Sequence, residues 1–410
     1  MILLLSLLVP TEFSFAIGTL RLTPYRLVLL AAFVPSLVRL LSGRAGPVSV
    51  IDLLLFAHLA WAYVVFGYHH GSGTAIESGG IRMIEFGGAY LIARTSILNE
   101  RAFRGVGVLI FAIVCVLAPL TLLESVSGIH FIKLLAAKLT GGHFISGIED
   151  RFGLSRAFGP FDHPILFGLF VASALGMVSI RALPRLGSPR ERKLPRIAVV
   201  IAAMTSVSSG ALAALMVQFT LLVWDNKTRH IRSRWKLFTA LLLTAYITVD
   251  LISNRSGMKV FLHYLTFSAS TAYNRIIIFD YGILDVWRNP TFGIGFNVWT
   301  KPEWMHSTSM DNFWLVQAVT FGIPGFVTIA MAVILMLSLN WDSLPDRIKR
   351  LRTGWAISMI GVIVAACTVH LWNSVFVYFA FLLGMGAWFI NVRGRREDAT
   401  YSAAGGQYEY

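Results

Sequence analysis

The segment 156–164 reads Arg-Ala-Phe-Gly-Pro-Phe-Asp-His-Pro and directly precedes an apolar stretch. Pro164 suits the first position of a helix, which places Asp162 and His163 at a helix N-terminus. The unpaired N–H groups and partial positive charge of such an end attract anions, so with Arg156 it is predicted to hold a phosphate. Asp162 is alternatively only the cap of the helix.

A second basic position is Arg275, which is followed by Asn289-Pro-Thr-Phe-Gly-Ile-Gly295. A guanidinium is permanently charged and can donate two hydrogen bonds at once to the oxygens of a phosphate, so Arg275 is a candidate anion-binding residue. Alternatively, Arg275 contacts a lipid headgroup. Arg156, Arg255 and Arg288 are predicted on the same side of the membrane as Arg275, which favours the anion-binding role. The G-x-G lacks the third glycine and the βαβ context of a dinucleotide site and is predicted to form a tight turn.

The third constellation is His306-Ser-Thr-Ser-Met-Asp311-Asn312, which leads into another apolar stretch. A carboxylate or imidazole here can accept a proton from a hydroxyl nucleophile, and Asp311 is preferred over His306 as this base. Asp311 is equally a candidate N-cap, and His306 a candidate ordinary loop residue.

The other ionisable residues carry weaker signals. Arg82 and Glu85 are spaced to pair on one helix, and Glu124 is predicted at the membrane surface. His69 and His70 lack a third metal ligand. No Asp-x-Asp pair occurs, so no metal site and no cofactor are predicted.

These groups must be positioned by membrane helices. The chain has 410 residues, of which 56% are hydrophobic and 14% charged, with a mean hydropathy of +0.68. One water-soluble core cannot hide so much apolar surface. The 35 basic and 21 acidic residues give a net charge of +14. Basic loops on one face of a membrane explain this charge better than a nucleic-acid partner does.

The predicted fold is all-α and polytopic, with about twelve membrane-spanning helices in a single domain over residues 1–391. The predicted spans begin near Met1, Leu27, Val50, Ile81, Val106, Pro164, Ile197, Gly210, Leu237, Asn312, Gly354 and Ser374. With both termini in the cytoplasm, every basic cluster falls inside, including those at 181–196, 227–236, 347–352 and 393–396. Residues 392–410 are predicted to be a disordered cytoplasmic tail.

Two long external loops result from this topology, at about 125–162 and 254–311. Phe131–Leu139 and Met258–Leu265 show the apolar spacing of one helix face and are predicted to lie on the outer leaflet. Long structured loops on a membrane protein are usually functional, which agrees with the chemistry placed there.

Three segments together resemble the O-antigen ligase and O-antigen polymerase family. The 156–164 segment is similar to its R-x-x-G-x-F-x-H-P element, and Arg275 with Asn289–Gly295 to an arginine followed by N-P-x-x-G-x-G. Asp311-Asn312 followed by Gly322-Ile-Pro-Gly325 is similar to the third element of the family. The early segment Leu22-Thr-Pro-Tyr-Arg26 is also similar to that family. Asp311 stands where the ligase branch has histidine, so the chain looks most like exopolysaccharide polymerases.

The resemblance implies metal-independent glycosyl transfer from a polyprenyl-diphosphate-linked oligosaccharide to a glycan acceptor, outside the bacterial inner membrane. Arg156 and Arg275 would contact the donor diphosphate, with His163, Arg255 and Arg288 assisting. The partners would be these two substrates, membrane lipids, and a chain-length regulator with its export complex. Transfer to a lipid acceptor and glycan transport are the alternative functions, and a non-catalytic assembly subunit is a third.

Overall fold

The computed structural model describes residues 1–179, 194–254, 256–264, 269–305, 307–338 and 344–405. At 258, 261–262, 269–270 and 394–405 it describes the backbone alone. Arg255, His306 and most of the basic cluster at 181–196 lie outside the described residues.

The molecule is mostly helical, with 74% of residues in helices and 2% in strands, which confirms the all-α class. A core of buried aromatic and aliphatic side chains joins most of the helices, with Phe379 and Trp355 among the largest of them. Two strands, β1 (Phe15–Ile17) and β2 (Leu20–Leu22), pair antiparallel near the start of the chain. The described residues form the following α-helices: α1 Ile2–Ser6, α2 Pro24–Leu41, α3 Val50–Thr74, α4 Gly80–Arg82, α5 Ala89–Ser96, α6 Glu100–Ser127, α7 Phe131–Thr140, α8 Pro164–Ser179, α9 Leu194–Thr205, α10 Ser209–Lys227, α11 Arg234–Ile252, α12 Gly257–Tyr264, α13 Ala269–Arg288, α14 Phe313–Ser338, α15 Asp346–Ala365 and α16 Asn373–Gly405.

Six helical segments within the described residues are long and apolar enough to cross a membrane. They are Pro24–Leu41, Val50–Ser96, Glu100–Ser127, Arg234–Ile252, Phe313–Ser338 and Asn373–Arg393. Two further apolar helices, α8 and α9, are shorter. These helices are typical of a membrane protein, while the count of twelve spans stays a prediction.

The segment Val50–Ser96 reverses direction at Gly71. The backbone of Gly71 has φ 81° and ψ 174°, which only glycine adopts readily. A Cβ placed on Gly79 would lie 2.7 Å from the Tyr63 ring, although a straight helix would separate these residues by about 24 Å. The segment is therefore a helical hairpin, in agreement with separate spans predicted from Val50 and Ile81.

A break in α14 lies at Gly322, where φ is 68°, and Pro324 follows it. Proline donates no N–H, so carbonyl groups of the preceding turn need other partners. The N-P-x-x-G-x-G segment supplies two of them, since Ile294 N donates to Val319 O (2.9 Å) and Gly295 N donates to Thr320 O (3.0 Å). In the opposite direction, Ile323 N of α14 donates to Pro290 O of the segment at 2.7 Å.

The predicted tight turn at Gly293–Gly295 is confirmed, since both glycines have positive φ. A Cβ on Gly293 would lie 2.4 Å from Val319 O, so the close approach to α14 requires glycine there. His69 and His70 also bind this turn, through Gly293 O and Phe296 N respectively. Two motifs that are distant in sequence thus fasten the end of α13 to α14.

The second predicted loop contains more helix than expected. The 20-residue helix α13 forms inside it, in a stretch that the sequence-based prediction assigns to a loop. α7 and α12 match the predicted short helices as far as the described residues extend. The last helix continues to Gly405, which differs from the predicted disordered tail, since strong helix formers extend an existing helix at little cost.

Candidate functional site at one end of the bundle

The segment that carries Arg156 is held between the ends of α6 and α9. Ser155 N donates to Ser125 O at 3.0 Å, and the Ser125 hydroxyl donates to Ser155 O at 2.7 Å. On the other side of Arg156, Ala157 N donates to Thr205 O at 2.9 Å. Backbone contacts on both sides therefore fix the position from which the Arg156 side chain extends.

Glu124, near the end of α6, completes this support. Its carboxylate accepts hydrogen bonds from the backbone N–H groups of Phe158 (2.8 Å) and Gly159 (3.1 Å) and contacts His130 Nδ1 at 2.7 Å. Only 2% of Glu124 is exposed. This role was not recognisable from the residues around Glu124, because two of the partners are backbone groups 34 and 35 residues away.

Glu124→Ala is expected to lower the free energy of unfolding by about 2–3 kcal/mol, because the buried donors of Phe158, Gly159 and His130 would lose their acceptor. Thermal unfolding of the detergent-solubilised protein measures this effect. Glu149→Ala, which removes an exposed carboxylate from the same predicted loop, is the control and should unfold like the wild type. Equal unfolding temperatures for the two variants would contradict the assigned role of Glu124.

Three arginines converge on the turn 206–209, which joins α9 to α10. They are Arg156, Arg151 and Arg275, and Arg151 was not singled out in the sequence. Arg156 Nε donates to Ser206 O at 3.3 Å, Arg151 Nη1 donates to Val207 O at 3.4 Å, and Arg275 Nη1 donates to Ser209 Oγ at 3.3 Å. Arg156 and Arg275 are 6% and 5% exposed. The structure thus brings together the two arginines that the motifs singled out, and we call these three residues the arginine cluster.

The arginine cluster is strongly electropositive for a buried site. Burial, with the charge of Arg151 as a lesser cause, lowers the pKa of Arg156 to about 10. Arg156 therefore remains protonated at neutral pH. Burial also lowers the pKa of Arg275, against the opposing effect of Asp311. Within the described structure Arg156 Nη2 is buried without a hydrogen-bond partner, so it is available to an anionic ligand.

His163 lies beside the arginine cluster as a neutral group. Burial, with Arg156 and Arg151 as lesser causes, lowers the pKa of His163 to about 4. Ile165 N donates to His163 Nδ1 at 3.1 Å, which leaves the ring proton on Nε2. His163 can therefore donate a hydrogen bond to a ligand but adds no positive charge.

Asp162 belongs to the scaffold, and neither its predicted capping role nor an anion-site role is seen. It accepts hydrogen bonds from the Thr11 hydroxyl, from Lys133 Nζ at 3.2 Å and from Asn373 Nδ2 at 2.8 Å. Lys133 also pairs with Glu12 at 2.8 Å. Asp162 thus ties the start of α8 to α7, α16 and the N-terminal segment.

Asp311 and Asn312 have separate roles. Leu315 N donates to Asn312 Oδ1 at 3.1 Å, so Asn312 caps α14 and the alternative of Asp311 as the cap is wrong. Asp311 lies near Arg275, whose charge lowers the pKa of this carboxyl. Burial outweighs that effect and raises the pKa of Asp311 above its ordinary value. A carboxylate with a raised pKa is a better proton acceptor at neutral pH.

Arg288 does not join the arginine cluster, which corrects the sequence-based prediction. It is 13 residues beyond Arg275 on α13, which is about 20 Å along a helix. Its side chain is 59% exposed, lies 3.6 Å from Asp285 and donates to Thr300 Oγ1 at 3.3 Å. The roles of Arg255 and His306 stay predictions, since both residues lie outside the described parts of the chain.

A cavity of about 1440 Å³ lies at the opposite ends of the helices that form the site. It is bounded by the C-terminal ends of α8 and α10 and the N-terminal ends of α9 and α15. None of the candidate residues lines it.

No model of a known protein family matches this chain, and comparison with curated proteins finds no significant match.

Proposed function

We propose that this protein is a membrane glycosyltransferase that polymerises polyprenyl-diphosphate-linked oligosaccharide units into a surface polysaccharide. The arginine cluster carries the proposal. Three cations on one turn, of which Arg156 and Arg275 are buried, with Asp311 close to Arg275, fit a ligand with several negative charges near a reacting hydroxyl. A diphosphate is such a ligand, and the resemblance of the three motifs supports a polyprenyl diphosphate.

The residues match the chemistry of the transfer. Asp311 takes the proton of the acceptor hydroxyl, whose oxygen forms a bond to the anomeric carbon of the donor sugar. The bond between that carbon and the diphosphate oxygen breaks, and the electron pair leaves with the diphosphate. Fixed guanidiniums in a partly dehydrated site stabilise this developing charge, which lowers the barrier. His163 contributes a neutral hydrogen bond.

The proposal includes the location and the partners. The protein lies in the bacterial inner membrane with both termini in the cytoplasm and the arginine cluster on the periplasmic side, which the basic loops support. It receives lipid-linked units and passes a lengthening glycan to a chain-length regulator and an export complex.

Lipid-linked intermediates in a deletion strain test the function. A polymerase predicts that a single repeat unit on polyprenyl diphosphate accumulates outside the membrane. An already polymerised lipid-linked chain would instead indicate a ligase that uses a lipid acceptor. Intermediates retained on the cytoplasmic side would indicate a transporter, and both outcomes would overturn the proposal.

The transfer is expected to proceed without a divalent metal, because guanidiniums supply the positive charge at the leaving group. Purified protein should keep its full rate of chain extension after treatment with EDTA. Loss of activity in EDTA that returns when magnesium or manganese is added would contradict the proposed chemistry. A metal-dependent glycosyltransferase assayed in parallel shows that the chelator is effective.

A further inference from the structure

A second cationic position, Arg82, lies in the hairpin between α3 and α5, outside the arginine cluster. Its guanidinium is fixed on one side, where Nη2 donates to Gln317 Oε1 and contacts His58 Nε2 at 3.1 Å. Two rings hold its faces, with Phe321 at 4.5 Å and Phe376 at 5.1 Å from the guanidinium carbon. The guanidinium is therefore held rigidly in one orientation.

The expected pairing of Arg82 with Glu85 is not formed. Glu85 instead accepts hydrogen bonds from Arg26 Nε at 2.8 Å and from the Tyr25 hydroxyl at 3.2 Å. No carboxylate among the described residues forms an ion pair with Arg82, and Arg82 Nε is buried without a hydrogen-bond partner there. Glu85 is close enough to act on the charge of Arg82, but it is hydrogen-bonded to Arg26, so no carboxylate among the described residues contacts Arg82 directly. A buried arginine within a membrane helix without such a contact is costly, which indicates an anion supplied from outside the chain.

A line of half-buried side chains connects Arg82 with the arginine cluster. Arg82 is close enough to His370 to affect its charge, and the His370 ring stacks on Trp372 with centroids 6.0 Å apart. Trp372 in turn contacts the ring of His163 at 5.6 Å, beside Arg156. Each of these side chains keeps accessible surface, and His370 Nδ1 is buried without a partner in the described structure.

Aromatic walls with a few fixed polar groups are typical of sites for small organic ligands. Trp372 and the His163 ring offer aromatic surface to sugar rings, with His370 stacked behind Trp372, and the unpaired Nε of Arg82 suits a single planar oxyanion. A diphosphate needs more positive charge, which is gathered at the arginine cluster. The line therefore has the features of a sugar-binding groove that ends at a carboxylate-binding group.

We propose that Arg82 binds the carboxylate of an acidic sugar in a glycan subsite that extends from the arginine cluster past His163, Trp372 and His370. This inference rests on the proposed function and adds the substrate class, namely a glycan that contains uronate or another carboxylated sugar.

The test compares two soluble probes that differ only at C6 of each sugar. They are α-1,4-linked trigalacturonate and α-1,4-linked galactotriose, titrated against the full-length protein in lipid nanodiscs. The wild type is expected to bind trigalacturonate at least about tenfold more tightly, as one charge-assisted hydrogen-bond pair implies. Equal affinity for the two probes overturns the inference.

Two variants locate the effect. Arg82→Gln should abolish the preference for trigalacturonate and leave the affinity for galactotriose unchanged. Gln317→Glu places a carboxylate of nearly the same size against the guanidinium, so it should also abolish the preference while the unfolding temperature is kept or raised. Because Gln317→Glu adds no bulk, it tests the inference even where Arg82→Gln does not fold. A preference that persists in either folded variant overturns the inference.

Inorganic pyrophosphate separates this subsite from the proposed diphosphate site. Its binding should be weakened by Arg156→Ala and unaffected by Arg82→Gln. If Arg82→Gln loses pyrophosphate binding and keeps the carboxylate preference, Arg82 belongs to the diphosphate site and the inference is wrong. If Arg156→Ala binds pyrophosphate like the wild type, the proposed function fails, while the carboxylate comparison still decides the role of Arg82.

Discussion

Arg156→Ala and Arg275→Ala are each expected to lower polymer synthesis by about 100-fold to 1000-fold, the usual cost of losing one group that stabilises a developing negative charge. Both guanidiniums contact the turn 206–209, so each variant removes one of the three cations that meet there. Polymer is measured by gel analysis of extracted glycan, and protein amount by immunoblotting of the membrane fraction.

Arg288→Ala provides the matched control for Arg275→Ala. Both residues are arginines of α13, but Arg288 is exposed and paired with Asp285, apart from the arginine cluster. Near-normal polymer is expected from this variant. Wild-type polymer length in Arg156→Ala and in Arg275→Ala, with protein in the membrane, would overturn the diphosphate assignment. A loss in Arg288→Ala equal to that in Arg275→Ala would mean that the effect does not depend on the cluster.

Asp311→Asn is expected to lower the rate of transfer by about 100-fold to 10,000-fold, the range found for removal of a general base. The substitution keeps size and shape, and Asn312 still caps α14, so the unfolding temperature should change little. Asn312→Ala is the complementary variant, and it should lower the free energy of unfolding by about 1 kcal/mol through loss of the cap. Normal polymerisation by Asp311→Asn would show that this carboxylate is not the base.

The pH dependence of the wild type provides a second measurement on Asp311. A base acts in its deprotonated form, so the rate must rise as pH rises through the pKa of the carboxyl. Since burial raises that pKa, the acid limb of the profile is expected above the range of an ordinary aspartate. Arg275 lowers the pKa, so the residual activity of Arg275→Ala should show a limb displaced to still higher pH.

Much of the fold could be predicted from the sequence because membrane helices are apolar over their whole length. The hairpin at Gly71 was recognisable from the two apolar segments that flank it. The turn at Gly293 was recognisable from its closely spaced glycines. Arg156 and Arg275 could be chosen from residue type and neighbouring motifs, and the structure brings them to one turn although they are 119 positions apart (275 − 156).

Other features depend on contacts that no local pattern records. Glu124 and Asp162 have hydrogen-bond partners far away in the sequence, so their structural roles were not recognisable from their neighbours. Arg151 could have been noticed as a further arginine shortly before Arg156. The orientation of its side chain, however, depends on the β-bridge between Arg151 and Leu154. Arg288 was misplaced because residues 254–311 were assigned to a loop, in which Arg275 and Arg288 could meet, whereas the helix α13 places them about 20 Å apart.

Reconstitution of the purified protein with a lipid-linked repeat unit measures the proposed glycosyl transfer itself. Each new glycosidic bond is expected to release one polyprenyl diphosphate and to lengthen one chain, and Arg156→Ala and Asp311→Asn should lose both products together. Movement of the lipid-linked unit across the bilayer without release of polyprenyl diphosphate would show that the protein is not a glycosyltransferase, and unchanged release by both variants would show that these residues do not act in the transfer.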